Sequence, residues 1–135
     1  RLPRRSKTGE KRLGECRMIE ANVEQLAKER VDAWLDEWFV MEEAIRTMHT
    51  ARDKAVKEAM VAAIRHYEQF IIAASQTDQT HIEAGDEFMC MPINGTERFL
   101  FIQAKPGQYA CYRQLDELFK ETKKRMARLR TQLKK

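Results

Sequence analysis

Between Glu15 and Ala84 the chain contains neither glycine nor proline. All five glycines (Gly9, Gly14, Gly85, Gly95, Gly107) and all three prolines (Pro3, Pro92, Pro106) fall outside that run of seventy residues. The strongest helix breakers are thus missing from half the sequence, which predicts a long helical body. One straight helix of that length would reach about 105 Å at roughly 1.5 Å per residue, far more than a chain of this size can cover with itself. The body must fold back or lie on a partner.

Long apolar runs are missing too. The longest, Ala59 to Ile64, has six residues, where a membrane-crossing helix needs about 20. With 34% charged residues and a mean hydropathy of −0.65, no transmembrane segment is expected and the chain reads as soluble. Cysteine is sparse. Cys16, Cys90 and Cys111 form an odd, widely spaced set without a C-x-x-C pair, which predicts reduced thiols in an intracellular compartment.

Motifs of catalysis are absent as well. His49, His66 and His81 lie in separate segments, none four residues from another, so they do not form a metal-ligand pattern. Asp78 and His81 are a lone acid and imidazole pair. Lys7-Thr8-Gly9 lacks the upstream glycines of a phosphate-cradling loop. The expectation is a protein that is not an enzyme, with no catalytic residue, no metal and no cofactor.

What is present is a segregation of charge. Residues 1–12 hold six Lys/Arg against one Glu, and residues 116–135 hold eight against three acids. The stretch between them carries eleven basic and seventeen acidic side chains, so two positive ends flank a mildly acidic body. Such polarity suits ends that engage a polyanion while the body packs on protein.

Residues 1–14, interrupted by Pro3, Gly9 and Gly14, read as a basic extended arm, and residues 15–135 as a single domain. Within the body, Ala27, Val31, Trp34, Trp38, Met41, Ile45 and Met48 recur at alternating steps of four and three, the seam of one helix face. A second stripe, through Val56, Met60, Ala63, Tyr67, Phe70 and Ala74, is out of register with it. Thr50 and Asp53 have capping-box spacing inside the gap. A helical hairpin follows, about 15–47 and 51–75 with a turn near 47–50, zipping Trp34, Trp38 and Met41 against Met60, Ile64 and Tyr67. An unbroken helix with a skipped register is the competing pattern.

After a polar linker over 75–86 the apolar period falls to two. Asn94-Gly95 has the composition of a two-residue hairpin turn, and Pro106-Gly107 that of a type II turn. This predicts a small three-stranded antiparallel meander over about 87–112, with Pro92 on an edge strand and a ladder of Phe88, Phe101 and Tyr112. A basic helix over about 113–132 completes an α+β, mainly helical fold. Thr122 to Lys135 carries seven basic residues and no acid, so its last two turns are expected not to pack fully on the chain's own core.

The expected function is that of a structural subunit in a large ribonucleoprotein assembly, a mitochondrial ribosomal protein in view of the Arg-rich start without Met. Arg1, Arg4, Arg5, Lys7, Lys11 and Arg12 of the arm, with Lys123, Lys124, Arg125, Arg128 and Arg130 of the terminal helix, would neutralise rRNA phosphates. The Trp34, Trp38 and Met41 face would meet neighbouring protein subunits, although the periodic stripe that the two tryptophans join favours core packing for them. Two alternatives use the same features. One is an accessory subunit of a respiratory or ATP-synthase complex, with its tails on acidic protein or anionic lipid. The other is a small DNA-associated or phage-type regulator that dimerises through the tryptophan seam.

Overall fold

A computed structural model describes residues 18–133. Among them are four α-helices, α1 (Lys28–Ala51), α2 (Val56–Ala73), α3 (Gly95–Ala104) and α4 (Tyr109–Leu133), and one 3-10 turn, η1 (Val23–Leu26). Two short strands, β1 (Met18–Ile19) and β2 (Glu87–Phe88), pair in parallel with Met18 opposite Glu87 and Ile19 opposite Phe88.

The predicted hairpin is present, with its turn a few residues later than expected. Thr50 does not cap a second helix; its hydroxyl donates to the Arg46 carbonyl at 3.1 Å, inside α1. The helix instead closes at Arg52, which is left-handed at φ 56°. The Arg52 N–H donates to His49 O and the Asp53 N–H to Met48 O, the paired bonds of a Schellman closure that usually employs glycine. Asp53 then accepts the Ala55 N–H at 2.9 Å and steers the chain into α2.

The first helix does not begin at residue 15 but at Lys28. Residues ahead of it bond sideways to other segments: Asn22 N–H to Ala74 O at 2.7 Å, Gln76 N–H to Glu20 O at 2.8 Å, and Met89 N–H to Ile19 O at 2.8 Å. Backbone groups committed to the end of α2 and to β2 cannot also make i→i−4 bonds.

The three-stranded meander is not formed. Asn94 does take the left-handed conformation its type favours, φ 59°, but as the residue that opens α3, not as half of a hairpin turn. A Cβ on Gly95 would stand 3.0 Å from the Met91 side chain, so glycine permits the preceding loop to close on the helix. Phe99 and Ile102, three apart, are buried, while Phe101 is 52% exposed. Tyr109 to Tyr112 is the first turn of α4, so the Phe88, Phe101 and Tyr112 ladder does not exist. Four consecutive apolar residues, Phe99 to Ile102, satisfy a period of two or 3.6 alike; packing against α4 decides for the helix.

Helices α1, α2 and α4 meet at Phe119, and α3 joins them through Tyr67. The Phe119 ring stacks on Trp38 of α1 (4.4 Å between centroids, 8°) and lies 4.9 Å from Trp34. Tyr67 of α2 meets it edge-on at 5.1 Å and in turn packs on Phe99 of α3 at 5.7 Å. The Tyr67 hydroxyl is paired with Thr122 at 2.7 Å, so the polar tip of a fully buried ring is satisfied. The end of α4 also packs inward: Met126 and Leu129 are buried, and α4 rests on η1. Arg128 and Thr131 to Leu133 are exposed, so the last two turns pack only in part, as expected. The 75–86 linker is ordered by two carboxylates: Glu68 accepts the Ile82 N–H, and Asp86 accepts the Glu83 N–H and the Gln79 side-chain amide.

Candidate nucleic-acid interface

The basic residues expected to touch a polyanion divide into three groups. Arg1, Arg4, Arg5, Lys7, Lys11 and Arg12 lie outside the described residues. Arg125 and Arg130 are half-buried clamps: Arg125 Nε donates to Met89 O at 2.9 Å, and an Arg130 guanidinium N–H donates to Leu26 O at 2.8 Å. Lys123, Lys124 and Arg128 are exposed. Lys123 lies 4.0 Å from Asp32 of α1, too far for more than a weak, screened attraction at the surface.

The two clamps matter electrostatically as well as structurally. A carbonyl oxygen is a neutral acceptor, so a guanidinium that bonds one keeps its full charge. Nothing acidic follows Glu121 in the chain. Glu121 itself is held by Arg98 of α3 through two hydrogen bonds of 2.8 and 3.2 Å, which keep its carboxyl below the usual carboxylate range. The second half of α4 is therefore a rigid, positively charged rod fixed at two points. Cations in a helix's last turns also complement the carbonyl end of its dipole.

Trp34, Trp38 and Met41 do not form an exposed face. Both tryptophans are buried and Met41 is half-buried against the core. The Trp34 indole donates to His66 O at 3.3 Å, and the Trp38 indole donates to Asp116 at 3.0 Å. The expected zip of Trp34 against Tyr67 is present at 5.7 Å. The surface assigned to neighbouring subunits, or to a dimer seam, is used within the fold.

Sequence reasoning did not find the concavity beside α4. A groove of about 530 Å³ runs between the 86–97 segment and α4. Lys124, Arg125 and Arg128 form one wall, and the first turn of α3, Gly95 to Glu97, lies on the other. Met91 and Ile93 are among its apolar lining, and Met18 of β1 reaches its edge. The only hint in the sequence was Asn94-Gly95, which marks a left-handed residue but not the element it introduces.

A model of the YpoC-like protein family matches residues 28–134. The chain belongs to the YpoC-like family. The matched span begins at the first residue of α1 and includes both walls of the groove. Neither a curated protein nor a solved structure matches the chain. Among the described residues no group of three or more His, Cys, Asp and Glu is placed to hold a metal ion, and no helix is long and apolar enough to cross a membrane.

Proposed function

We propose that this YpoC-like protein is a non-enzymatic subunit of a ribonucleoprotein assembly and that it contacts RNA phosphates through α4. The observation that carries the reading is the clamped, acid-free second half of that helix. Lys123, Lys124 and Arg128 project from it into solvent while Arg125 and Arg130 fix it to the body without losing charge. A rigid cationic surface loses little side-chain and backbone freedom when it meets a polyanion. Phosphate contacts of this kind give affinity without sequence preference. Residues 1–12 supply a second positive segment to the same interaction, and their composition is the sole ground for a mitochondrial ribosome as the setting.

The test is RNA binding by the full chain across a salt series. Unrelated single-stranded RNAs should bind comparably, with affinity falling steeply as salt rises. Changing Lys123, Lys124 and Arg128 together to Gln removes three phosphate partners and should lower the magnitude of the log–log salt slope by roughly 2. Absence of binding at low salt, or a slope that the triple variant leaves unchanged, would overturn the proposal.

A further inference from the structure

The groove beside α4 has features that a general cationic surface does not need. Its α3 wall begins at Asn94, which provides no side-chain cap to the helix. The first-turn amides of a helix have no carbonyl partner within it and attract negative charge; in α3 the Gly95 N–H is taken by the Pro92 carbonyl at 2.9 Å, which leaves those of Thr96 and Glu97. Thr96, the second residue of that turn, is 5% exposed. Its hydroxyl has no hydrogen-bond partner, and Thr96 belongs to the groove lining. A buried, unpaired hydroxyl is costly unless something completes it.

Opposite stand Lys124 and Arg128, four residues and so one turn apart on α4. Between them in sequence, Arg125 is anchored through Nε, which leaves the other guanidinium N–H groups to a ligand. Hydroxyl, helix amides, ammonium and guanidinium are all donors. Together they match an anion with several acceptor oxygens on one centre.

The acids nearby narrow the choice. Asp86 accepts from Gln79 and Glu83, and Glu121 is paired with Arg98. Glu97 is exposed along the same groove. A run of phosphodiesters threading through would pass its carboxylate. A terminal phosphate entering end-on meets the donors first. At about 530 Å³ the space lies within the roughly 300–1,000 Å³ of small-molecule sites, more than a bare phosphate requires. Ile93, 85% exposed, offers apolar surface to an organic body.

We infer that the groove between the first turn of α3 and α4 binds a phosphate monoester, its phosphate between Thr96 and the Lys124/Arg128 pair. This rests on the reading of α4 as a phosphate-contacting helix and adds a defined chemical group to it. The monoester belongs either to a free nucleotide or to the 5′ end of an RNA.

The experiment follows the backbone amide resonances of the full chain during titration with a 5′-mononucleotide and with the matching nucleoside. The mononucleotide should shift Thr96 and Glu97; the nucleoside should not. Arg128→Gln and Thr96→Val should each weaken the mononucleotide about tenfold or more, while Thr96→Ser, which keeps the hydroxyl, should retain it. Equal response to nucleotide and nucleoside, or affinity untouched by both variants, would overturn the site. A 5′-phosphorylated RNA that binds more tightly than its 5′-hydroxyl form identifies the RNA end as the source; equal binding of the two, with the mononucleotide response intact, identifies a free nucleotide. If the site fails while salt-dependent RNA binding persists, the α4 reading stands alone. Loss of both removes both.

Discussion

The indole N–H of Trp38 donates to a carboxylate oxygen of Asp116 at 3.0 Å, a hydrogen bond between α1 and α4 buried from solvent. Asp116 also lies 3.0 Å from the Lys120 ammonium, so a charge that is 4% exposed is both paired and hydrogen-bonded. Asp116→Ala leaves the indole N–H without a partner and should cost about 3 kcal/mol of unfolding free energy. Asp116→Asn keeps an acceptor and should cost distinctly less. Urea midpoints of the two variants check this, and Trp38→Phe in a double-mutant cycle isolates the pair. Equal losses in Ala and Asn would show that the bond contributes nothing of its own.

Arg52 closes α1 in a left-handed conformation, φ 56°, that disfavours a residue with a Cβ by roughly 1–2 kcal/mol. Its exposed side chain has no packing to lose. Arg52→Gly should therefore raise stability by up to about 1 kcal/mol, because glycine's greater freedom in the unfolded chain offsets part of the gain. Thermal unfolding with a melting temperature at or below that of the parent would contradict it.

Stability should fall at alkaline pH. Burial pushes the Cys90 thiol up to about 11 from an ordinary value of 9.0. Between those values the unfolded chain has released a proton that the folded chain still holds. The stabilisation is thus complete below about pH 9 and lost as pH rises towards 11. Two pH units correspond to roughly 3 kcal/mol. Burial also pushes the Tyr67 phenol up, in the same direction. Denaturant midpoints at pH 8 and 10.5 should differ, and Cys90→Ala should shrink that difference. A variant with an unaltered pH profile would remove Cys90 from the account.

The helical α3 makes a prediction opposite to that of a meander. With Phe101 half exposed and Phe99 fully buried, Phe101→Glu should change stability by under about 1 kcal/mol, whereas Phe99→Ala should cost roughly 3–5 kcal/mol. A ladder through Phe101 would make its replacement the damaging one. Equilibrium unfolding of the two variants decides between the packings.

The hairpin was legible because its signal is long. Seventy residues without a breaker and a seam repeated over six steps leave few arrangements, and the slip between Met48 and Val56 located the turn to within a few residues. Thr50 misplaced it slightly, since a threonine can cap a helix or bond back within one, and only tertiary packing tells which. Segment 87–112 was misread because its elements are short. Phe99 to Ile102 fits two periods, and Asn94 can be left-handed in a hairpin or ahead of a helix. The basic character of α4 could be read directly, but its division into clamps and free cations could not. Whether Arg125 meets Met89 or solvent depends on where a distant loop returns. The groove, built from α3 and α4 jointly, has no local pattern at all.

The bond from Arg130 to the carbonyl of Leu26 spans 104 residues. A ribosome adding about 5–20 residues per second needs on the order of 5–20 s to travel that distance. Leu26, fully buried in the finished fold, waits through that interval without the α4 turn that covers it. The α1–α2 hairpin can assemble early from local contacts, but its aromatic face stays open until Phe119 emerges to close it. The growing chain thus leaves Trp34 and Trp38 without their stacking partner until residue 119 has been added, and the hairpin must keep its aromatic face from other chains over that interval.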